Sequence, residues 1–597
     1  MSDLLVVTIN EVLVKITSRG NRPVMLAPGA ESVWSPITSD ELYGRVRALA
    51  DALASWGVVR GDRVAIVSEN RWEWAVSDFA VLALGGVDVP LYATNTAEQV
   101  GYMIRDSGAK VAIVSSGEQL EKLVAAGEIP ELQHVIVMNA GEEGNAVSFA
   151  KIMTDAPSKQ TRDSAFDAMV LKAEPKDLCT IIYTSGTTGE PKGVELTHGN
   201  LASNVSVGVT PLGLTDADRY LEFLPLSHVY ARSVDYAVML HGAVVGHCSK
   251  IEHLANAMKV VKPTLFVGVP RVYEKIRQGV EAKSGMSPIK KRILAWAVTT
   301  GRKHRHDILR GRQPTALAWK LADKLVYSKI RDAFGGCTRN FMSGSAALGM
   351  DSAGWFADVG IRIFEGYGLT ETSPVISVNY PKAHRIGSIG KALPNVEVRL
   401  APDGELEVRG PSVFARYWKK PKETAEVFTE DGWFKTGDIG AMDEDGYLSI
   451  TDRKKEILKT SGGKMIAPQP IEGRLKSNVL VGNAALVGDR HKFASVLLSP
   501  NLRALEVWAK DNGVTATERG ALVSDKKVVA EYQRIVNEVN KGLARFETMK
   551  RIKVVPDEWT IESGELTPSM KLKRRVVEKK YAVEIHEFYK DEATASE

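Results

Sequence analysis

The chain has 597 residues, too many for one hydrophobic core, and at roughly 100–200 residues per domain it should form several domains. Its hydrophobic fraction of 44% and charged fraction of 25% are ordinary for a globular protein, which excludes disordered, collagen-like and coiled-coil classes. The net charge of +4 is too small to indicate a nucleic-acid partner.

The cysteines and the apolar runs indicate the cellular compartment of the protein. Cys179, Cys248 and Cys337 are far apart and show no metal-ligand spacing, which favours a reducing compartment over a disulfide framework. Asp3 stands where a secretory signal needs positive charge, and the longest apolar run, 79–87, is shorter than the roughly 20 residues that span a bilayer. We expect a cytoplasmic protein, at most peripheral on the inner face of the membrane.

Helical and strand patterns alternate through the first half of the chain. A capping box at 38–41 precedes apolar residues at helical spacing, and an apolar helix is predicted over 72–84. Short β-rich runs are found at 63–67, 111–114, 134–138, 178–183 and 264–269. Apolar strands separated by helices predict βαβ units and a mostly parallel sheet buried on both faces.

A glycine- and hydroxyl-rich loop, YTSGTTGEPKG at 183–193, lies between a predicted strand and a helix predicted from about Asn200. Glycines let the backbone approach a ligand, hydroxyls add donors, and Lys192 adds a mobile positive charge. Backbone N–H groups in such a loop bind anionic oxygens. The GxxxxGK[ST] spacing of a Walker loop is not present. The loop predicts a phosphate site that comprises Thr184, Ser185, Gly186, Thr187, Thr188, Gly189 and Lys192.

Residues 283–332 depart from the charge balance of the chain. They contain 13 Lys and Arg against 3 Asp and Glu, a local charge of +10 that leaves −6 for the remainder. Trp296 and Trp319 are interleaved with these charges. A solvated helical face is one interpretation, and an amphipathic surface for anionic lipid or a polyphosphate ligand is another. Nucleic acid is not expected as a partner, since no fold motif for it accompanies the charge.

The pattern changes after about residue 385. The runs 396–400 and 405–408 flank a Pro-Asp-Gly turn and predict an antiparallel hairpin, and 446–450 predicts another strand. The charged segment 451–456 is a candidate hinge, and the mixed pattern beyond it predicts a small domain. We expect an N-terminal domain at 1–451, a hinge at 452–456 and a C-terminal domain at 457–597.

Further motifs follow the phosphate loop in a fixed order. They are SGSAA at 343–347, EGYGLTET at 365–372 after a strand-like run at 361–364, KTGD at 435–438, DRKKE at 452–456 and TPSMKLKRR at 567–575. With the phosphate loop, they resemble the motifs of the adenylate-forming superfamily, which includes acyl-CoA synthetases, luciferases and peptide-synthetase adenylation domains. The resemblance covers about residues 35–580. It implies an α/β fold, with a large N-terminal domain of stacked βα-type subdomains plus a β-rich subdomain, hinged to a small α+β C-terminal domain.

The resemblance also implies a nucleotide site with ATP, Mg²⁺ and CoA as the cofactors. In it, Tyr367 stacks on adenine, Thr370 contacts the α-phosphate, and Glu371 holds Mg²⁺ with Thr184. Asp438 and Arg453 bind the ribose. A planar ring suits a purine, and hard oxygen ligands suit Mg²⁺. The motifs around adenine also include Ser343, Gly344, Ser345, Ala346, Glu365, Gly366 and Gly368.

The C-terminal motif implies a mobile catalytic lysine. Lys571 corresponds to the lysine that bridges the substrate carboxylate and the α-phosphate, and it forms the implied catalytic set with Thr370, Glu371 and Lys192. Lys455 is the implied hinge residue, and Gly463 would line the tunnel for the thiol of CoA. Between Arg453 and Gly463 the chain is one residue longer than in luciferase-like members, so the role of Lys459 stays open.

The string LPLSHVYAR at 224–232 resembles the LPLxHxxER-type string of long-chain fatty acyl-CoA synthetases and implies that His228 binds the substrate. Ala231 stands where that group usually has glutamate. The implied reaction converts a long-chain fatty acid to an acyl-adenylate with release of pyrophosphate, and then to acyl-CoA with release of AMP.

Alternatives to this function remain at this point. They are a ligase for a medium-chain or aryl acid, an acyl-adenylate donor to a carrier protein, and a non-catalytic lipid- or nucleotide-binding paralogue. Chain-length preference, pathway and a homo-oligomeric state stay open. The basic stretch at 283–332 suggests reversible association with an anionic membrane surface.

Overall fold

The computed structural model describes residues 4–29, 33–142, 144–154, 162–184, 190–285, 287–454, 456–567 and 570–593. The predicted hinge residue Lys455 lies outside these ranges. The central residues of the predicted phosphate loop also lie outside them; these are Ser185, Gly186, Thr187, Thr188 and Gly189.

The strands, in chain order, are β1 Pro23–Pro28, β2 Trp34–Thr38, β3 Arg63–Val67, β4 Val87–Leu91, β5 Val111–Val114, β6 His134–Val137, β7 Val147–Ser148, β8 Leu178–Thr184, β9 Lys192–Thr197, β10 Arg219–Glu222, β11 Val244–His247, β12 Leu265–Gly268, β13 Asn340–Ser343, β14 Ile363–Gly368, β15 Val375–Val378, β16 Lys391–Ala392, β17 Glu397–Leu400, β18 Glu405–Arg409, β19 Phe434–Met442, β20 Leu448–Arg453, β21 Leu458–Lys459, β22 Met465–Ile466, β23 Val481–Val487, β24 Ala494–Pro500 and β25 Met549–Val554.

The helices are α1 Ile9–Thr17, α2 Ser39–Ser55, α3 Trp72–Ala83, α4 Ala97–Ser107, α5 Gly117–Ala125, α6 Phe149–Thr154, α7 Ser164–Val170, α8 His198–Val205, α9 Val229–Leu240, α10 Leu254–Val261, α11 Pro270–Gly285, α12 Pro288–Leu309, α13 Leu317–Ala322, α14 Ser328–Asp332, α15 Met350–Asp358, α16 Pro421–Glu426, α17 Pro468–Lys476, α18 Leu502–Asp511, α19 Arg519–Ser524, α20 Lys526–Asn540, α21 Arg574–Lys580 and α22 Ala582–Ala593.

Two largely parallel sheets form the N-terminal part. Within the described ranges, one has seven strands in the order β7-β6-β5-β3-β4-β8-β9, and the other has nine in the order β16-β15-β14-β13-β12-β10-β11-β1-β2. All residues of β4, β5, β12 and β13 are buried, as expected for parallel strands covered by helices on both faces. The predicted α/β class is confirmed.

The local sequence signals of the first half act as expected. The Thr38 hydroxyl accepts a hydrogen bond from the Glu41 N–H at 3.3 Å, and the Glu41 carboxylate accepts one from the Thr38 N–H at 2.8 Å. This capping box starts α2, whose apolar stripe is buried, and α3 begins at the predicted residue.

The strand predicted at 361–364 differs in the structure. It is β14, Ile363–Gly368, which continues through the EGYG string. It extends because Glu365 pairs with Ser343 of β13 and Gly366 pairs with Val378 of β15.

An antiparallel sheet of β17, β18, β19 and β20 follows the second parallel sheet. The predicted hairpin corresponds to β17 and β18, with Val398 opposite Val408. Strand β20 includes Asp452 and Arg453, the first two residues of the predicted hinge, because Arg453 pairs with Asp438 of β19. The position of the hinge stays a prediction.

The C-terminal part has its own core. Strand β24 pairs antiparallel with β23 and parallel with β25, and helices α17 and α20 pack on this sheet. The buried apolar residues after residue 457 form clusters among themselves, around Leu498, Leu505 and Tyr532 in one and Trp559 in another. The domain limits 1–451 and 457–597 stay predictions. Among the described residues, no helix combines the length and apolar character needed to cross a bilayer.

Candidate active site

The candidate site lies at one edge of the second sheet. Strands β13 and β14 are parallel neighbours, so their carboxyl ends meet at the same edge. Ser343 ends β13, and Tyr367 lies at the end of β14. A crevice outside the carboxyl ends of parallel strands is where open α/β sheets bind ligands.

The small-residue segment after β13 brings the backbone close to this edge. The Gly344 N–H donates to the Gly268 carbonyl at 3.1 Å, and a Cβ at Gly344 would lie 2.9 Å from ring atoms of Tyr230. Ser345 has a φ of +69°, and Ala346 is exposed in the bend that follows. Glycine at 344 therefore leaves the space that the Tyr230 ring occupies.

A hydrogen bond and an ion pair join Tyr367, Asp438 and Arg453. The Tyr367 hydroxyl donates to Asp438 Oδ2 at 2.6 Å, and Arg453 Nε lies 3.3 Å from Asp438 Oδ1. Asp438 is only 4% exposed, and this burial raises its pKa, while Arg453, the bond from Tyr367 and the charge of Lys571 oppose the rise. The unit holds a planar ring beside a carboxylate, an arrangement that suits a nucleoside.

Glu371 joins two other parts of the chain. The Tyr417 hydroxyl donates to Glu371 Oε1 at 2.8 Å, and Lys192 Nζ lies 5.4 Å from the centroid of the Tyr417 ring. Strand β9 begins at Lys192, which pairs with Thr184 of β8. The same strand packs against the short 3₁₀ turn Thr370–Thr372. Of the predicted phosphate site, Lys192 therefore lies beside Tyr417, and Thr184 pairs with Lys192.

The turn before Glu371 depends on a glycine. A Cβ at Gly368 would lie 1.7 Å from the Pro374 carbonyl oxygen, so no side chain fits there. Thr370 is buried at the start of the 3₁₀ turn that follows. This close approach fixes Thr370 and Glu371 relative to the end of β14.

The donor set at Glu371 fits Mg²⁺ that arrives with a nucleotide. Burial raises the pKa of Glu371, and among the described residues no Lys or Arg forms an ion pair with it. The described part of the chain also holds no cluster of three or more His, Cys, Asp or Glu that could bind a metal alone. Mg²⁺ commonly binds through one or two carboxylates together with substrate phosphates, and the single carboxylate of Glu371 is such a partial set.

Lys571 reaches this site from the C-terminal part. Its backbone N–H donates to Thr567 Oγ1 at 3.0 Å, and its side chain is partly buried. Desolvation and the nearby Arg453 cation lower the pKa of Lys571 to about 8, against the opposing charges of Asp438, Glu456 and Glu371. The charges of the predicted ribose residues and of the predicted metal ligand Glu371 therefore act on the predicted catalytic lysine.

The predicted substrate residue His228 lies within electrostatic reach of Lys571. It is the N-cap of α9, and its Nδ1 accepts a hydrogen bond from the Tyr230 N–H at 3.1 Å. Burial, followed by the charge of Lys571, lowers the pKa of His228 to about 4. The imidazole is therefore neutral at physiological pH and adds no positive charge to the site.

Two predicted residues take other positions. Gly463 lies in an exposed turn between β21 and β22, where its N–H donates to the Thr460 carbonyl at 2.9 Å. Glu365 turns away from solvent and accepts a hydrogen bond from the Leu348 N–H at 3.0 Å, and burial raises its pKa to about 7. Lys459, left open above, lies in β21, and its N–H donates to Asp489 at 3.0 Å.

The sequence analysis did not single out Tyr417 or Glu456. Tyr417 lies in the string RYWKK, which carries no phosphate or nucleotide pattern, and its role depends on contacts with Glu371 and Lys192 from distant parts of the chain. Glu456, whose charge acts on both Arg453 and Lys571, belonged to the charged segment interpreted only as a hinge.

Comparison with known proteins places the chain in a family. The AMP-binding enzyme family matches residues 15–418, and the AMP-binding enzyme C-terminal domain matches residues 455–593. The chain is 40% identical over 568 residues to the long-chain-fatty-acid–CoA ligase FadD15 of Mycobacterium bovis, which covers 94% of each chain. It is 32% identical to the human long-chain-fatty-acid–CoA ligase ACSBG1, over 94% of this chain and 82% of the relative. The chain belongs to the AMP-binding enzyme family.

Solved structures share the fold. The anthranilate CoA ligase AuaEII, in complex with anthranoyl-AMP, has a TM-score of 0.72 at 20% identity over 96% of both chains. The A domain of a carboxylic acid reductase from Segniliparus rugosus has a TM-score of 0.75 at 20% identity over 98% of this chain and 94% of that one. Both agree with a large N-terminal domain followed by a smaller C-terminal domain.

Proposed function

We propose that this member of the AMP-binding enzyme family is an AMP-forming long-chain fatty acid–CoA ligase. ATP, CoA and a long-chain fatty acid are its substrates. The names of its relatives in Mycobacterium bovis and human support the substrate class, because each of them aligns over most of the chain. The anthranilate ligase supports only the fold, so we do not favour an aryl acid.

The proximity of Lys571 to Asp438 and Glu371, whose charges act on its ammonium, carries the proposal. Adenylation must bring together two anions, a carboxylate and a triphosphate, in a site with little water. Cations placed before the reaction stabilise such an arrangement more strongly than they would in water. A lysine held beside the predicted metal and ribose residues has this chemistry.

In the first half-reaction, a carboxylate oxygen of the fatty acid attacks the α-phosphorus of ATP. The bond from the α-phosphorus to the bridging oxygen breaks, and the electron pair leaves with pyrophosphate. We assign to Lys571 the bridging of the carboxylate and α-phosphate, and to Thr370 a hydrogen bond to the α-phosphate. Lys192, with the loop that begins at Thr184, neutralises the outer phosphates.

We assign nucleotide and metal binding to neighbouring residues. Tyr367 stacks on the adenine, and Asp438 with Arg453 binds the ribose hydroxyls. Mg²⁺ would be held by Glu371 and Thr184 and would supply charge neutralisation of the triphosphate when bound. The neutral His228 lies on the acid side, where it orients the carboxylate without competing with Lys571 for it.

In the second half-reaction, the thiolate of CoA attacks the acyl carbonyl, and AMP leaves with the bonding electron pair. In this structure the ammonium of Lys571 lies near the charges of Arg453, Asp438 and Glu371, while Gly463, the predicted tunnel residue, lies in an exposed turn. We propose that the domain from 457 onwards rotates about the 452–456 segment at Lys455 between the half-reactions. The rotation would withdraw Lys571 and bring Gly463 to the site.

The basic helices α12 and α13, which lie in the stretch 283–332, support the proposal of a further partner. This partner is an anionic membrane surface at the inner face of the membrane. Ile289 of α12 and Leu317 of α13 are 71% and 84% exposed, within a stretch of charge +10. Exposed apolar side chains among lysines and arginines are typical of reversible surface binding. This surface would meet a substrate that partitions into lipid.

Pyrophosphate release and acyl-CoA formation test the function directly. The purified protein is mixed with ATP, Mg²⁺ and fatty acids of increasing chain length, with and without CoA, and both products are measured. We expect AMP and acyl-CoA in equal amounts, with the highest kcat/KM for long chains. Pyrophosphate release with no acyl-CoA in the presence of CoA would instead indicate another acceptor.

A further inference from the structure

A fully buried ion cluster lies beneath the acid side of the candidate site. Arg232, in the second turn of α9, is 1% exposed and forms ion pairs with Asp78 of α3 and with Asp88 of β4, the latter at 3.0 Å. Arg232 Nε also donates to the Tyr236 hydroxyl at 2.9 Å, and that hydroxyl donates to Asp78. Arg232 thus connects α9 to helix α3 and to strand β4 of the seven-stranded sheet.

The acidic partners of Arg232 come from other parts of the chain and not from the residue next to it. Ala231 stands where long-chain relatives usually carry glutamate, and the carboxylates that pair with Arg232 come instead from Asp78 and Asp88. Burial raises the pKa of both carboxyl groups, and the repulsion between them raises that of Asp88 further. The cluster therefore places two carboxyl groups, both with a raised pKa, against one guanidinium.

Stability alone does not account for such a cluster. A buried ion pair loses its hydration on folding, and apolar side chains of similar volume often stabilise a fold as well or better. What a guanidinium provides is direction, because its planar fork fixes several partners at once. The elements that Arg232 connects therefore indicate its role.

On one side Arg232 holds the beginning of α9. Its N–H donates to the His228 carbonyl at 3.2 Å, and the same turn carries Tyr230, whose ring lies against Gly344. The preceding loop is bound to the first layer as well, since Asn70 donates to the Leu224 carbonyl at 2.7 Å and accepts from the Leu226 N–H at 2.9 Å. The part of the site around His228, where the fatty acid is proposed to bind, is thus fixed to the elements that carry Asn70, Asp78 and Asp88.

On the other side Arg232 holds the strands that lead to the phosphate loop. Asp88 of β4 is paired with Thr180 of β8, and the Thr180 hydroxyl donates to the Asp88 carbonyl at 2.9 Å. Strand β8 continues to Thr184, which pairs with Lys192. One guanidinium therefore links the histidine on the acid side to the strand pair on the phosphate side.

We propose that Arg232 is a positioning residue of adenylation, which sets His228 and the first turn of α9 at a fixed distance from the Thr184–Lys192 strand pair. The inference rests on the proposed function. In-line attack of a carboxylate on the α-phosphorus needs both reactants in register, and a displacement of about 1 Å can cost about a hundredfold in rate. Arg232 would act on kcat through this register without touching either substrate.

The substitution Arg232→Lys tests the proposal, because it keeps the charge and removes the fork. We expect kcat for fatty-acid-dependent pyrophosphate exchange to fall about ten- to a hundredfold, with KM for ATP changed less than about threefold. ATP affinity is retained because Tyr367, Asp438 and Arg453 lie on other strands. Exchange by the unchanged enzyme tests the function itself, so failure of the function and failure of this inference are distinguishable.

Arg305→Lys is the matched control. Arg305 of α12 forms a two-point ion pair with the buried Asp358 at 2.7 and 2.8 Å and has no part in the cluster. We expect it to lower the melting temperature without a change in kcat. If Arg232→Lys folds poorly, Tyr236→Phe removes one member of the cluster and should lower kcat in the same direction by about threefold or more. A kcat within twofold of the unchanged enzyme in folded Arg232→Lys or Tyr236→Phe protein would overturn the proposal.

Discussion

The ammonium of Lys571, from the C-terminal part of the chain, lies close enough to the His228 imidazole, from the N-terminal part, for its charge to lower the pKa of the histidine. Two groups that would repel each other as cations thus lie near one another. Only one of them is charged near neutral pH, because burial holds the pKa of His228 at about 4 and that of Lys571 at about 8. The positive charge of this pair is therefore concentrated on Lys571.

The first prediction concerns Lys571→Ala. We expect adenylation to fall about a hundred- to a thousandfold, because one preorganised cationic donor is lost from the reacting groups. Thioester formation from supplied acyl-adenylate and CoA should survive, since the proposed rotation removes Lys571 from that step. Rapid-mixing assays of each half-reaction measure the two rates separately, and equal loss of both would contradict the assignment.

The pH profile gives a second prediction. The protonated form of Lys571 is the active one, so kcat/KM for adenylation should be level below pH 8 and fall tenfold per unit above the pKa of about 8. In kcat the alkaline limb should move to higher pH, because bound triphosphate adds negative charge beside Lys571 and favours its charged form. Residual activity of Lys571→Ala is the control, and an unchanged alkaline limb there would assign it to another group.

Local signals in the sequence predicted the elements that depend on neighbours in the chain. The capping box at Thr38 and Glu41 and the strand pair around the Pro-Asp-Gly turn were both predicted to within a residue or two, because their bonds join nearby residues. The motif residues Tyr367, Asp438 and Lys571 were identified by resemblance, and the structure adds how they meet. The central phosphate-loop residues 185–189 stay predictions.

Partners from distant parts of the chain could not be predicted. Tyr417 bonds to Glu371, and Asp78 and Asp88 form ion pairs with Arg232. None of the three partners Tyr417, Asp78 and Asp88 shares a periodic or spaced sequence pattern with the residue that it contacts. Burial of a charge is a tertiary property, so a charged residue in an apolar segment such as Asp78 gives no indication of where its counter-ion lies. The extension of β14 through the EGYG string likewise depends on β13 and β15.

A third prediction concerns Tyr417→Phe. The change keeps the ring beside Lys192 and removes the hydroxyl that donates to Glu371 at 2.8 Å. Since that bond stabilises the charged carboxylate, its loss should weaken the apparent affinity for Mg²⁺ about five- to tenfold. Titration of adenylation activity with Mg²⁺ at saturating ATP measures the change. Tyr43→Phe, which removes a similar 3.0 Å bond to Asp167 far from the site, should leave the titration unchanged.

The ribose unit yields a fourth prediction. Asp438→Ala should raise the Kd for ATP about a hundredfold, because it removes the acceptor proposed for both ribose hydroxyls and breaks the ion pair with Arg453. Tyr367→Phe keeps the aromatic face and loses only the 2.6 Å bond to Asp438, so we expect a rise of about three- to tenfold. Calorimetric binding of ATP to each variant measures these values. A larger effect for Tyr367→Phe than for Asp438→Ala would contradict the assignment of Asp438 to the ribose.

The last prediction concerns the basic helices. Anionic vesicles that contain phosphatidylglycerol should retain the protein in a sedimentation assay, and neutral phosphatidylcholine vesicles should retain much less. Raising the salt from about 0.1 to 1 M shortens the electrostatic screening length from about 10 to 3 Å and should release most of the protein.

Replacing Leu317 and Leu321, 84% and 51% exposed on α13, by serine removes apolar area without changing charge. Binding should then fall further, because exposed leucines at a lipid surface contribute burial that salt does not screen. The matched control replaces Val507 of α18, which is 60% exposed in the C-terminal part, and should leave binding unchanged. Retention that is independent of phosphatidylglycerol and salt would show that this charged face has no lipid partner.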